Sequence, residues 1–195
     1  DLQKYESMFD ASEIDLMTGR TVDLSEYTPR GSARNNEYIT NQMTFIGYNT
    51  ANPLLSGVET RQGLSNIVDK DSIVNSTIYS RGKASNIPIN PSSIFYYDTS
   101  TKFKPDEILT TQHLGNDKWG LDNDGKYVRH GGAQKQVLQF EILTNSDSAE
   151  KVNIANEVAD SYTRFCIPTT VTALPYDEYI ARINEKNYEI MIGEN

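Results

Sequence analysis

The chain of 195 residues has the length of one large domain, which is enough to bury a core without support from a disulfide or a metal. Eighteen Lys and Arg against 27 Asp and Glu give a formal net charge of −9, which argues against a nucleic acid or an anionic membrane as the main partner. The single cysteine, Cys166, excludes an intrachain disulfide and a cysteine-built metal cluster, and with two histidines we expect no metal site and no cofactor. Because the chain starts at Asp1 without a methionine and stops at Asn195 just after an apolar run, we expect a piece of a longer protein.

Helical patterns dominate the amino-terminal part of the chain. We expect helices at Leu2–Phe9, Val58–Val68 and Pro105–Leu114, another that begins at Asp71 and buries Ile73, Val74, Thr77 and Ile78, and a strand at Met43–Tyr48. Asp71 is a suitable N-cap, Pro105 suits a first helical position, and Gly115 suits the position just past a helix end. The stretches Thr18–Tyr38 and Tyr79–Ser100 are polar or irregular and predict long loops.

The carboxyl-terminal part alternates strands with helices. We expect strands at Lys135–Thr144, Ile167–Leu174 and Tyr188–Ile192, a helix opened by a capping box of Asp147 and Glu150, and a helix opened by Pro175. This β-α-β-α-β order predicts parallel strands joined by helical crossovers. No internal repeat or low-complexity tract interrupts it.

Few residues suggest chemistry. Asp122-Asn123-Asp124-Gly125 faintly resembles a calcium loop but lacks the closing acidic residue, so we interpret it as a tight turn. His113 lies near a predicted helix end, where an imidazole can bond the terminal carbonyls, and His130 lies in a predicted loop. Neither belongs to a hydrolase or metalloprotease motif, so we expect no catalytic residue and no enzyme.

Cys166 and the tyrosines each allow two interpretations. We expect Cys166 to be a buried structural thiol, with a reactive thiolate near Arg164 as the alternative. The 12 tyrosines, against six Phe and one Trp, suit adaptable recognition, although Tyr162 and Tyr179 lie on predicted helix faces and suit a core.

Two stretches resemble the family 5 extracytoplasmic solute-binding proteins of bacterial ABC importers, the oligopeptide- and dipeptide-binding group. Phe45–Thr50 followed by Glu59–Val74 resembles the family's strand ending in Asn and its valine–arginine–glutamine–alanine–leucine helix pair. Leu138–Gly193 is similar to the family's leucine–threonine–asparagine strand, Ala-Asn-Glu helix and Tyr-Asp-Glu-Tyr helix start. The connector Trp119–Gly132 resembles its glycine–tryptophan and aspartate–glycine segment in altered order.

The resemblance covers about Phe45 to Asn195, and four positions depart from the family pattern. Gly63 stands where the family prefers Ala, Cys166 where it prefers Gly, Thr60 in place of Val, and Lys70 in place of Arg. These are packing positions, so they indicate a divergent member with the same fold and leave the class of ligand open.

The resemblance implies an α/β fold, one lobe of a periplasmic-binding-protein type II-like fold with a mixed, mostly parallel sheet flanked by helices. A whole receptor has two lobes around a cleft, so residues 1–195 are expected to form a single ligand-binding lobe. Residues 1–40 would be an entry segment and loop, and residues 41–195 the family-like core. The family's acidic anchor for a peptide amino group would fall beyond Asn195.

The function implied by the resemblance is the capture of a solute, with a peptide as the first candidate, and its delivery to an ABC permease. The expected partners are a peptide or similar solute, the permease and the missing first lobe, and we expect no nucleic acid. The expected location is the outer face of the cytoplasmic membrane, either periplasmic or lipid-anchored. The alternative is an envelope interaction module that keeps the lobe fold without binding a solute. A hydrolase using surface carboxylates is a third class.

We place the ligand site where strands end, because ligands of open α/β sheets bind outside the carboxyl ends of the strands. The candidate residues, expected to share one edge of the sheet, are Tyr48, Asn49, Asn145, Tyr176, Glu194 and Asn195. Tyr176 follows a strand end and Pro175, and related receptors often carry a ligand-stacking Trp there. The alternative is that Tyr176 packs in a helical stripe with Tyr179, Ile180 and Ile183.

Overall fold

A computed structural model describes residues 2–18, 33–36, 38–77, 82–97, 104–131 and 134–195. Its helices are α1 (Leu2–Asp10), α2 (Val58–Ser65), α3 (Lys70–Thr77), α4 (Glu107–Asn116), α5 (Ala149–Arg164) and α6 (Tyr176–Asn184). Its strands are β1 (Thr44–Tyr48), β2 (Gly120–Leu121), β3 (Tyr127–Gly131), β4 (Gln134–Val137), β5 (Phe140–Asn145), β6 (Thr169–Leu174) and β7 (Ile190–Glu194). Most of the predicted loop Thr18–Tyr38, Ile78, and parts of the predicted loop Tyr79–Ser100 lie outside the described residues.

The main sheet has the strand order β1-β7-β5-β6. Strand β5 runs parallel to both β6 and β7, which confirms the predicted β-α-β-α-β unit. Strand β1 pairs antiparallel with β7, so that Thr44 lies opposite Glu194 and Tyr48 opposite Ile190. The result is the predicted mixed, mostly parallel sheet.

The two crossover helices cover opposite faces of this sheet. Alternate residues of β5 point to opposite faces, and Phe140 and Ile142 join the main core, together with Ala155 and Val158 of α5. The other face holds Leu143, which is fully buried but outside that core cluster, and helix α6 packs on β5 and β6. Both faces of β5 are therefore dry, as expected for a central parallel strand.

The predicted strand Lys135–Thr144 is two strands, and that prediction is wrong in its continuity. Strand β4 belongs to a small antiparallel sheet of order β2-β3-β4, whereas β5 belongs to the main sheet. Between them, the N–H of Leu138 donates to the carbonyl of Tyr127 at 2.8 Å, and the Leu138 side chain is fully buried. The alternation of apolar residues continues through this break, which is why the sequence shows one strand.

The helix ends differ from the predicted caps. Helix α3 begins at Lys70, and the side chain of Asp69, not Asp71, accepts from the N–H of Ser72. Helix α4 is capped by Asp106 rather than opened by Pro105, and it continues through Gly115.

The predicted capping box of Asp147 is also wrong. Ser148 caps α5 by accepting from the N–H of Lys151 at 3.3 Å. In each of these helices a neighbouring residue with an equally suitable side chain makes the cap, and pattern alone does not choose between neighbours.

Helices α2 and α4 pack together at Gly63. A Cβ atom at this position would lie 3.3 Å from Leu114, tighter than an ordinary contact. The close approach favours glycine at this position, because a larger residue would require the Leu114 side chain to shift. Within the described residues, no helix has the length and apolar character needed to cross a membrane.

Candidate functional site

The carboxyl ends of β5, β6 and β7 meet at one edge of the main sheet, which we call the carboxyl edge. Asn145, the last residue of β5, lies opposite Leu174, the last residue of β6, and β7 ends in the same direction at Glu194. Helices α5 and α6 begin at this edge, directly after β5 and β6. The positive ends of two helix dipoles therefore lie beside the strand ends.

Asp147 fixes the start of α6 to the end of β5. Its N–H donates to the side-chain oxygen of Asn145 at 2.9 Å, and its own carboxylate accepts from the N–H of Tyr176 at 3.1 Å. The N–H of Ser146 donates to the carbonyl of Leu174 at 2.8 Å, which ties the same two segments again. The loops of the carboxyl edge are thus held rigidly, as a binding surface requires.

Tyr176 stands exposed at this edge. Tyr176 is 55% exposed, whereas Tyr179, one helical turn later, is 7% exposed. The hydroxyl of Tyr179 donates to the carbonyl of Ile192 at 2.9 Å and so belongs to the interior. The predicted stripe is therefore split, and the Tyr176 ring is available for contact.

Glu194 and Asn195 also lie at this edge, but both have partners within the chain. The carboxylate of Glu194 pairs with the Lys151 ammonium at 2.7 Å, and both side chains are mostly buried. The side-chain oxygen of Asn195 accepts from the N–H of Met43 at 2.9 Å. These bonds secure the end of β7 to α5 and to the start of β1.

Tyr48 and Asn49 do not join the other candidates, and the expectation of one shared edge is wrong for them. Because β1 is antiparallel to β7, its end lies at the opposite edge, which we call the amino edge. The amide of Asn49 donates there to the carbonyls of Lys186 and Tyr188 at 3.1 and 2.8 Å. Asn49 thus secures the loop that precedes β7.

Tyr48 serves the core. Its hydroxyl lies 2.9 Å from that of Tyr162 on α5. Burial raises the pKa of both phenols above the ordinary value, for Tyr162 well above it, so both remain neutral donors and acceptors at physiological pH. The pair bridges β1 and α5, and its buried position keeps it away from the carboxyl edge.

Sequence reasoning missed Asp147, Ser148 and Lys151 as parts of this edge. Asp147 was predicted to cap α5, and its contact with Tyr176 joins residues 29 positions apart. A polar triplet directly after a strand is a signal for such a role, but its partner depends on which strand lies alongside.

The other singled-out residues have structural partners. The Nδ1 atom of His113 lies 2.8 Å from the Glu59 carboxylate, so the predicted bond to helix-end carbonyls is wrong. Hydrogen bonds from His113 and then Asn116 lower the pKa of Glu59. His130 lies in strand β3 rather than in a loop.

Asp122 forms the predicted tight turn. Its Oδ1 atom accepts from the N–H groups of Asp124 and Lys126, each at 3.0 Å, and Gly125 has a φ of 71°. Its Oδ2 atom pairs with the Lys135 ammonium at 2.7 Å. In the part of the chain that the structure describes, no three His, Cys, Asp or Glu side chains are grouped to hold a metal ion.

The predicted burial of Cys166 is wrong, because the residue is exposed. It follows α5 with a φ of 64°, in the left-handed region. The backbone determines the place of this residue. The N–H of Ile167 bonds to the carbonyl of Tyr162 and closes the helix, and Cys166 lies in the left-handed turn just before it.

The geometry of the carboxyl edge suits reversible binding. An exposed aromatic ring, helix N-termini and held polar side chains can contact a ligand without a covalent step.

Comparison with known proteins supports this reading of the fold. Oligopeptide-binding protein AppA of Bacillus subtilis (strain 168) is 25% identical over 147 residues, which are 74% of this chain and 26% of AppA. The structure of AppA from Bacillus subtilis in complex with a nonapeptide matches with a TM-score of 0.78 and 21% identity, over 100% of this chain and 39% of that one. NikZ from Campylobacter jejuni, in complex with Ni(L-His), matches with a TM-score of 0.69 and 19% identity, over 80% and 30%.

The chain therefore spans about a quarter of the length of its curated relative, 26%. The structural matches show a periplasmic-binding-protein type II fold. The family model described as bacterial extracellular solute-binding proteins, family 5 Middle, matches residues 3–195, nearly the whole chain. The chain belongs to the family 5 bacterial extracellular solute-binding proteins.

Proposed function

We propose that this chain is one lobe of a two-lobe receptor that captures a solute, with peptides as the first candidate, and delivers it to an ABC permease. The receptor works at the outer face of the cytoplasmic membrane, periplasmic or lipid-anchored. Family membership supports solute binding, and the peptide complex of the AppA relative supports the choice of peptide. Function arises from closure, because a solute that bridges both lobes stabilises the closed state by the contacts made only there.

The observation that carries the proposal is the exposed Tyr176 ring on the carboxyl edge. The ring sits at the first turn of α6, and its backbone is held by Asp147. With Asn145, Glu194 and Asn195 it forms the wall that we propose for the ligand cleft. Tyr48 and Asn49 lie at the other edge and have no part in this wall.

The test is peptide binding by the full receptor with Tyr176→Ala. We expect binding to weaken about tenfold, or ~1.4 kcal/mol, because a stacking ring is lost while the exposed side chain contributes little to stability. Tyr5→Ala is the matched control, since Tyr5 is 54% exposed on α1 and Tyr176 is 55% exposed. Unchanged affinity in Tyr176→Ala, or a large drop in its melting temperature, contradicts the assignment.

A second candidate function is an envelope interaction module without solute binding. It is favoured by the segment 82–97, where Ile94, Phe95 and Tyr97 are 92%, 78% and 73% exposed. Exposed apolar clusters of this kind mark protein contacts. Peptide binding by the full receptor supports the first function. The second is supported if the full receptor binds no solute but binds a protein partner that is lost when this segment is changed.

A further inference from the structure

A cavity of about 500 Å³ opens at the amino edge, on the far side of the sheet from Tyr176. It lies between the turn after β1, the residues that follow α4, and the β3–β4 hairpin, and we call it the amino-edge pocket. Three of its lining residues carry basic side chains, namely Lys118, Arg129 and His130. The chain as a whole has a net charge of −9, so three basic side chains around one cavity show an uneven distribution of charge.

Arg129 is held in place with part of its donor set unused. Its guanidinium lies 4.3 Å from the ring centroid of Trp119, its Nε donates to Gln136 at 2.8 Å, and one Nη donates to the carbonyl of Pro53 at 2.9 Å. A guanidinium has five N–H donors, and these bonds use two of them. Within the described residues, the others have no acceptor. A fixed guanidinium with open donors is prepared to receive an anion, because little side-chain entropy is lost on binding.

The buried indole that supports Arg129 is itself fixed. Trp119 is 3% exposed, and its Nε1 donates to the hydroxyl of Thr60 at 2.9 Å. The platform under the guanidinium therefore belongs to the core and does not depend on a mobile surface side chain.

Lys118 supplies a second cation. It follows α4 with a φ of 65° and is exposed. In the described part of the chain its ammonium makes no hydrogen bond or ion pair. Lys118 and Arg129 thus both present positive charge to the same cavity.

Among the described lining residues, Asp117 is the one acid. Its Oδ2 atom accepts from the N–H of Thr60 at 3.1 Å and from the Thr60 hydroxyl at 2.5 Å. The carboxylate is therefore stabilised from the α2 side. Gln136, also in the lining, is neutral, and its side-chain N–H groups can donate further hydrogen bonds to a ligand, whereas the Ser56 hydroxyl already donates to the carbonyl of Pro53 at 3.1 Å.

We propose that the amino-edge pocket binds a small anion that carries a carboxylate or phosphate group. The planar fork of Arg129 matches either group, and Lys118 adds a point charge. A volume of about 500 Å³ lies in the range of small-molecule sites. This site is separate from the carboxyl edge and does not depend on the proposed transport function.

The test titrates this chain with inorganic phosphate and with citrate, at constant ionic strength, followed by amide chemical shifts. We expect saturable shifts at Lys118, Arg129 and their neighbours. Lys118→Ala should weaken binding about threefold to fivefold, the effect of losing one exposed charge. Lys126→Ala is the control, because Lys126 is an exposed lysine on the neighbouring turn and does not line the pocket. A stronger response to one probe assigns the acidic group of the ligand.

Arg129→Gln removes the fork but also the contact with Trp119, so its melting temperature is measured alongside. Lys118→Glu provides a variant that reverses charge without touching Trp119, and it should abolish saturation. Shifts that grow linearly with both probes, or equal losses in Lys118→Ala and Lys126→Ala, overturn the proposal. Peptide binding by the full receptor should be the same with and without Lys118→Ala, so this test and that of the proposed function fail independently.

Discussion

At the scale of single residues, Cys166 shows how backbone conformation can decide a position. The residue has a φ of 64°, which costs a side chain that carries a Cβ atom about 1–2 kcal/mol relative to glycine. Its N–H bonds to the carbonyl of Thr163 as the chain leaves α5. The thiol is exposed because this turn projects from the helix end, so the apolar character of cysteine did not predict its place.

Replacing Cys166 with Gly should therefore stabilise the chain. We expect a gain of about 0.5–1 kcal/mol in the free energy of unfolding, because relief of the left-handed strain exceeds the extra entropy of glycine in the unfolded chain. Urea denaturation measures it. Thr163→Gly, at an exposed position inside α5, is the control and should lose about 0.5 kcal/mol through helix propensity. A loss in both variants contradicts the explanation.

Residue roles were predictable where the partner is local. The turn around Asp122 followed from its own sequence, since its side chain bonds N–H groups two and four positions later. The contact of His113 with Glu59 joins residues 54 positions apart. No local pattern specifies such a partner, because it depends on how α2 and α4 pack.

At the scale of elements, alternation and capping patterns predicted the helices and strands of the carboxyl-terminal part. The β5-α5-β6-α6-β7 unit followed because parallel strands need helical crossovers. The direction of β1 was not predictable, since its partner β7 lies near the other end of the chain. The break between β4 and β5 was hidden because consecutive strands of two sheets continue the same alternation.

The small hairpin should show a pH dependence centred on Asp122. The hydrogen-bonded ion pair with Lys135 contributes most, and the hydrogen bond from the N–H of Lys126 contributes next. Together they hold the pKa of this carboxyl at about 2, below its ordinary 3.8. A lowered pKa means that the charged form is stabilised by folding, so this stabilisation is present above about pH 3.8 and is lost as the pH falls through about 2.

The measurement is an NMR titration of the Asp122 carboxyl carbon. Lys135→Gln should raise the pKa towards 3.8, because the first cause of the shift is removed. Lys126→Gln keeps the backbone N–H that bonds to Asp122 and should leave the pKa low. Equal pKa values in the wild type and Lys135→Gln contradict the role of the ion pair.

At the scale of the whole molecule, the position of the candidate site follows from topology. The rule that ligands bind outside the carboxyl ends of strands located Asn145, Tyr176, Glu194 and Asn195 together, since β5, β6 and β7 are parallel. The same rule misplaced Tyr48 and Asn49, because it holds only for strands that share a direction. No sequence pattern predicted the side-chain contacts that hold the carboxyl edge together, such as the ion pair of Lys151 with Glu194.

This chain alone should fold but bind peptides far more weakly than the full receptor. Folding is expected because both faces of β5 are already covered within the chain and a continuous core surrounds Ile142 and Ile190. Weak binding is expected because a cleft draws contacts from both walls, and the carboxyl edge supplies one. Loss of the other wall should cost roughly 4 kcal/mol, or about a thousandfold in affinity.

Calorimetric titration of the chain and of the receptor with one peptide mixture measures the difference, and a cooperative melting transition of the chain is the control for folding. Micromolar binding by the chain alone contradicts the two-wall account and places a complete peptide site within this lobe.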